Sequence, residues 1–239
     1  LRVVESRAMK PAPLLLPWLM GSLLILGTFC AVALADPNPY PQTLAALQER
    51  YADEVVAHRK YGAYAGHAEN EGYPAIAHLF RALAASEAVH ARNFARLIVE
   101  LGAEPSVPPL KFALSTTREH LKQAATVEAA EIDQEYPAIL KKIEGENHRE
   151  AVRFITYAWK AEQQHRDLIL KIKKGASWFF GMLVSKIEGS PTRYYICQIC
   201  GSTVTELPGS QCPICDHPPD QYREVAEFQG SKVKAAPSG

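Results

Sequence analysis

Between residues 44 and 174 apolar side chains recur every three or four positions, the spacing of one buried face on an α-helix. Breakers divide this stretch into four predicted helices, over residues 44–72, 75–101, 116–144 and 148–174. Gly72-Tyr73-Pro74 parts the first from the second. Gly102 and the segment from Pro105 to Pro109 end the second and open a long crossover, and Gly145 parts the third from the fourth. Short, long and short connections predict two antiparallel helix pairs joined by one crossover, an all-α four-helix bundle.

The buried stripes are not wholly apolar. The second helix steps through Ile76, Phe80, Leu83, Glu87, His90, Phe94, Leu97 and Leu101, and the fourth through Ile155, Ala158, Glu162, His165, Ile169 and Ile172. The first runs Leu47, Tyr51, Glu54, His58, Tyr61, Ala65. Burying a carboxylate without a partner costs several kcal/mol (on the order of the desolvation of an ion). These positions therefore need a reason.

Their pattern supplies one. Glu87-x-x-His90 and Glu162-x-x-His165 each place a carboxylate and an imidazole on one helix face. A lone glutamate precedes each step at nearly the same distance: Glu54 lies 33 residues before Glu87, and Glu128 lies 34 before Glu162. Two such steps with a glutamate from each remaining helix make a carboxylate-bridged dinuclear metal site inside a ferritin-like bundle. Glu131 follows Glu128 by one turn, where the first half has Ala57. The candidate ligands are thus Glu54, Glu87, His90, Glu128, Glu131, Glu162 and His165. Hard oxygens with imidazole suit iron or manganese, and redox chemistry favours iron. Of the other histidines, His58 is expected as a partly buried, satisfied residue with a supporting role at the site as the alternative. His67, His78, His120, His148 and His217 are expected at the surface.

Four cysteines near the C-terminus read Cys197-x-x-Cys200 and Cys212-x-x-Cys215, a spacing that builds a tetrahedral four-thiolate site. Zinc there would be structural and iron would be a one-electron relay. Two disulfides are a third reading for an exported chain.

At these residues the chain resembles the rubrerythrins. Glu54, Tyr61, Gly72 and Tyr73 meet the family's first-half pattern, and Glu128, Glu131, Tyr136 and Pro137 its second. The cysteine segment resembles rubredoxin, with Tyr195, Gly201 and Pro213 in place; it departs at Ser202 and Asp216. The resemblance implies a ferritin-like di-iron bundle with a small C-terminal rubredoxin-like domain. It implies that Glu87 and Glu162 bridge, that Glu54 binds one iron, and that Glu128 and His165 bind the other. One iron would move between Glu131 and His90 on redox change. Tyr61 and Tyr136 would donate hydrogen bonds to ligands, against plain aromatic packing as the alternative. The implied activity is reduction of hydrogen peroxide to water, with an iron at the cysteines relaying electrons, commonly in a homodimer where one subunit's cysteine site serves the other's di-iron site. The alternative is an iron-handling ferroxidase with a zinc clip.

Composition narrows the rest. Lys plus Arg and Asp plus Glu both number 26, with no basic cluster, so nucleic acid is excluded as a partner. No Gly-x-Gly-x-x-Gly opens a helix, so the electron donor is external and unidentified. From Pro11 to Ala35 there is no charge, Lys10 precedes the run, and Ala33-Leu34-Ala35 closes it. That predicts a signal peptide over 1–35, or an uncleaved membrane anchor, and a body in the periplasm or cell envelope. Met9 is the expected start. The expected organisation is completed by the bundle at 40–176, a linker at 177–192, the rubredoxin-like domain at 193–228 and a disordered tail at 229–239.

Overall fold

The computed structural model describes residues 38–107, 109–173 and 192–226 of the 239-residue chain. The expected export segment, all but the last residue of the expected linker, and the tail lie outside the described residues. Five α-helices are described: α1 Pro41–Asn70, α2 Pro74–Glu100, α3 Thr117–Ala130, α4 Tyr136–Ile143 and α5 Arg149–Lys173. Among the described residues no helix is long and apolar enough to cross a membrane.

Local chemistry sets the ends. Pro41 and Pro74 sit in the first turns of α1 and α2, where a missing N–H costs nothing. Thr116 caps α3 by accepting from Glu119 N. Glu146 accepts from Gln42 N and Thr43 N, both at 2.8 Å, so a turn far along the chain caps α1. Gly72 and Gly102 end α1 and α2 at φ of 82° and 79°, a left-handed conformation that favours glycine. Between α4 and α5 the left-handed residue is Asn147, with φ 54°, whereas the sequence pointed to Gly145.

The third expected helix is not continuous. A π-turn, Glu131–Glu135, separates α3 from α4. Two residues downstream stands Pro137, whose ring would crowd the carbonyl of residue 133 in an uninterrupted α-helix. Tyr136 N donates to Glu131 O, five positions back. In that register Ile132 O would be met by residue 137, which is proline and has no N–H. The Trp159 indole on α5 donates to Ile132 O instead, at 2.9 Å.

Apolar packing fills the bundle in two clusters. One gathers Tyr61, Tyr64, Phe80, Leu83, Leu121 and Ile169, and the other Leu47, Phe94, Leu97, Tyr136, Ile139 and Ile155. The ionisable residues of the stripes lie along the same helices between them. The C-terminal module is a three-stranded antiparallel sheet of order β2-β1-β3, from β1 Tyr195–Cys197, β2 Thr203–Val204 and β3 Tyr222–Glu224. It packs on α2 and α5 of the same chain, through the contacts described below.

Two histidines expected at the surface are buried. His120 is enclosed, stacked on Tyr64 with ring centroids 3.9 Å apart, and its Nε2 accepts from Ser115 N at 2.8 Å. His78 is buried against Tyr194. Both lie on helix faces that cover another element rather than water, which a single helix's periodicity does not show. His58 is exposed rather than partly buried, with Nδ1 2.7 Å from Ala84 O.

Candidate metal centre

Six of the seven candidate ligands converge at mid-bundle. Glu54 on α1, Glu87 and His90 on α2 and Glu162 on α5 present donor atoms within 4.8 Å of one another. So do Glu87, Glu128 on α3, Glu162 and His165 on α5. Glu87 and Glu162 belong to both groups. All six residues are at most 5% exposed. Glu131, on the π-turn, stands outside both groups. It is half-buried and lines a cleft of about 330 Å³ between α1 and α3 with Asp53, Ala57, Lys60, Tyr61 and Val127.

Each imidazole turns the same edge inward. His90 Nδ1 lies 3.0 Å from Glu87, 3.2 Å from Glu162 and 3.5 Å from Glu54. His165 Nδ1 lies 2.8 Å from Glu162 and 3.3 Å from Glu87. The outer nitrogens are fixed by groups that define their protons. His90 Nε2 faces Cys200 O at 3.2 Å, and a carbonyl can only accept, so Nε2 carries the hydrogen. His165 Nε2 faces Thr203 Oγ1 at 3.1 Å. That hydroxyl donates to Gly201 O, so it accepts from His165. Nδ1 is therefore the nitrogen that each imidazole, once neutral, offers to a metal.

Two tyrosines brace the carboxylates. Tyr61 O–H donates to Glu128 and Tyr136 O–H to Glu54, each at 2.6 Å. Hydrogen bonding, not packing alone, is what their rings supply. Burial pushes both phenols well above their ordinary range, so each keeps its hydrogen.

Without a cation the site is electrostatically strained. Burial, with Glu162 and Glu87 nearby, holds the Glu128 carboxyl well above its usual range, and burial pushes Glu54 up to about 7 against the pull of His90. Burial opposes charge on His165, yet Glu87 and Glu162 outweigh it and carry the imidazole to about 10. Glu87 Oε2, Glu128 Oε2, Glu162 Oε1 and His90 Nδ1 are buried with no hydrogen-bond partner. Orphaned acceptors facing one point from three helices, α2, α3 and α5, fit a pair of cations.

The second group is Cys197, Cys200, Cys212 and Cys215, all buried, with sulfurs within 4.8 Å of one another. Cys197 and Cys215 Sγ are 3.7 Å apart and Cys200 and Cys212 Sγ 3.5 Å. A disulfide needs about 2.05 Å, so the disulfide reading is set aside and these four cysteines are free. The cysteines share their protons unevenly. Hydrogen bonding from Cys200 brings Cys197 down to about 7, while burial and its neighbours hold Cys200 far above its range. A tetrahedral cation takes all four as thiolates.

The two groups are joined by a dense seam. Ser86 Oγ donates to Gly201 O at 2.7 Å and Asn93 Nδ2 to Ile199 O at 2.8 Å. Arg92 donates to Gln198 O. Gln164 Oε1 accepts from Thr203 N at 2.9 Å and from Ser202 Oγ at 3.1 Å. At Gly201, φ is 81° and an added Cβ would stand 2.2 Å from His90 Nε2, so only glycine fits.

The rubrerythrin family profile matches residues 46–173, more than half of the chain. This chain belongs to the rubrerythrin family. It joins that family's ferritin-like di-iron domain to a cysteine-rich rubredoxin-like domain. Rubrerythrin-2 of Clostridium acetobutylicum is 32% identical over 178 residues, spanning 74% of this chain and 93% of that one. Nigerythrin of Nitratidesulfovibrio vulgaris is 31% identical over 182 residues, 75% of this chain and 85% of its own. Among solved structures, nigerythrin in its fully reduced, all-ferrous state aligns with a TM-score of 0.65 at 31% identity, over 77% of this chain and 86% of that one. A Desulfovibrio desulfuricans bacterioferritin, at 23% identity and a TM-score of 0.59, shares the fold. The six convergent candidate ligands fall on four helices, α1, α2, α3 and α5. Ser86, Gln164 and Thr203, which tie the seam, left no signal in the sequence.

Proposed function

We propose that this chain is a non-haem di-iron peroxidase that reduces hydrogen peroxide to water, with electrons entering through an iron held by the four cysteines. The observation that supports this most is the hydrogen bond from His90 Nε2 to Cys200 O, 3.2 Å long, which links one residue of each metal group. The reaction consumes one H2O2, two electrons and two protons and yields two waters. Glu54, Glu87, His90, Glu128, Glu162 and His165 would hold a pair of irons, which would supply the two electrons that cleave the O–O bond. The chain's own residues do the rest. The cleft beside Ala57 leads oxidant from solvent to Glu131 and Tyr61. Glu131 lines the cleft's inner end and is the carboxyl placed to pass a proton there. Tyr61 and Tyr136 keep Glu128 and Glu54 from swinging as charge changes. Electrons come from an external one-electron donor protein.

Anaerobic titration of the reduced, iron-loaded protein with peroxide tests this reading. One equivalent of H2O2 is expected to withdraw two electrons, and the oxidised thiolate-bound iron is expected to return its red charge-transfer bands. Cys197→Ser should lose those bands and keep a folded bundle. Colourless protein with one zinc per chain, and no two-electron stoichiometry, would replace the peroxidase with an iron-handling protein that carries a structural zinc clip.

A further inference from the structure

Ser202 is one of the two positions at which the cysteine segment departs from the rubredoxin pattern, and the structure gives its hydroxyl a neighbour on either side. It is fully buried, as is Cys212, and Tyr222 beside them is 5% exposed. One backbone group fixes the direction of every hydrogen bond here. Thr203 N can only donate, and it lies 2.9 Å from Gln164 on α5, so the atom it meets is the amide oxygen. Ser202 Oγ lies 3.1 Å from the same oxygen and so donates to it. A hydroxyl has one hydrogen, and that of Ser202 goes to Gln164. Toward Tyr222 Oη, 3.0 Å away on its other side, Ser202 can only accept.

The Tyr222 hydroxyl therefore faces two acceptors with one hydrogen, Ser202 Oγ at 3.0 Å and Cys212 Sγ at 3.1 Å. Charge on the sulfur decides between them. A hydrogen bond to a metal-bound thiolate favours the state with more negative charge on sulfur, which for iron is the reduced one, and such bonds help to set the potential of thiolate-held iron. The bond from Tyr222 to Cys212 raises that potential. Ser202, kept as an acceptor by a residue of the bundle, draws the same hydrogen away and lowers it. Gln164 stands between Glu162 and His165 on α5, so the helix that carries two candidate ligands of the bundle also governs the hydrogen bonding at a cysteine.

We propose that Tyr222 and Ser202 are positioning residues that set the reduction potential of an iron held by the four cysteines: Tyr222 holds it up through its bond to Cys212 Sγ, and Ser202, oriented by Gln164, holds it down by competing for that bond. This rests on the reading of the cysteine site as an iron electron relay. With the module docked on α5, the relay iron gives up its electron more readily than Tyr222 alone would allow. Tyr222→Phe deletes the donor and keeps the ring. Ser202→Ala deletes the competitor and keeps the backbone N–H, which lies 3.4 Å from Cys200 Sγ. The two changes act on one hydrogen in opposite directions.

An optical redox titration of the full, iron-loaded chain decides, followed at the red charge-transfer bands of the thiolate-bound iron. Tyr222→Phe should shift the equilibrium toward oxidised iron by about threefold, a fraction of the worth of a hydrogen bond to a charged group. Ser202→Ala should shift it the other way, toward reduced iron, by about twofold on the same scale. On a Tyr222→Phe background Ser202→Ala should change nothing further, because the hydrogen in contention is gone. A parent-like potential in Tyr222→Phe overturns the proposal. So does Ser202→Ala if it leaves the potential unchanged or moves it toward oxidised iron, which would make Ser202 a donor to the phenol rather than a competitor. A Ser202→Ala effect that persists without the Tyr222 hydroxyl overturns it as well and assigns Ser202 to packing. Colourless parent protein with zinc at the cysteines would instead remove the relay itself, and the reading beneath the proposal fails.

Discussion

At the scale of single residues, the centre depends on hydrogen bonds that reach past its ligands. Tyr61 and Tyr136 each give a 2.6 Å bond to a buried carboxylate. Tyr61→Phe or Tyr136→Phe is expected to cost about 1–3 kcal/mol of stability in the metal-free protein, the size of leaving a buried polar group without its hydrogen-bond partner. Iron content should stay near two at the bundle site while peroxide turnover falls about tenfold or more, since a swinging carboxylate spoils ligand geometry. Chemical denaturation, metal analysis and stopped-flow reduction of peroxide check the three parts. The six convergent candidate ligands were legible in the sequence: five set a charge or imidazole on an otherwise apolar stripe, and Glu128 repeats before Glu162 the spacing of Glu54 before Glu87. Ser86, Gln164 and Thr203 were not, because polar residues at those positions fit an exposed face equally well. Only the arrival of a distant strand makes them matter. His120 was missed for the same reason, since the crossover that covers it is not part of any periodic pattern.

At the scale of elements, the four helices were legible to within a few residues, and so was the long crossover. The π-turn was not. Its ingredients, Pro137 and Trp159, lie on separate helices, and the link between them is one hydrogen bond from the indole to Ile132 O. Trp159→Phe removes the donor and leaves a buried carbonyl with none. That should destabilise the bundle by about 1–2 kcal/mol beyond the loss of ring area. It should also quicken amide exchange through Glu131–Glu135, which sets it apart from a simple packing defect. Unaltered exchange in that segment would mean that Pro137 alone maintains the turn. The sequence reading set Glu131 in line with Glu128. On an uninterrupted helix they share a face, whereas the π-turn begins at Glu131, which stands in the cleft beside the convergent ligands.

At the scale of the whole molecule, the fold is a bundle with a metal-binding knuckle laid against two of its helices. The cysteine spacing made the knuckle legible; where it would dock was not, because its contacts are mostly backbone carbonyls, which carry no residue code. Gly201→Ala tests the docking. A methyl group cannot occupy the space against His90 Nε2, and the left-handed φ disfavours it as well. The thiolate bands should survive in that variant, while electron transfer from the cysteine iron to the bundle slows by about tenfold or more, with a rise in protease sensitivity at the seam; an unchanged transfer rate would remove the seam from the route. The seam also has a bearing on how the protein is made. His90 and His165 are presented with the proton on the outer nitrogen because Cys200 O and Thr203 Oγ1 are there to receive it. Both partners lie C-terminal to the bundle and so leave the ribosome after it. A nascent bundle therefore holds every bundle ligand before it holds the groups that orient its two imidazoles, and its tautomers interconvert until the knuckle closes. The expected order of maturation is that the cysteine module docks, the histidines are then oriented, and the bundle binds metal best last.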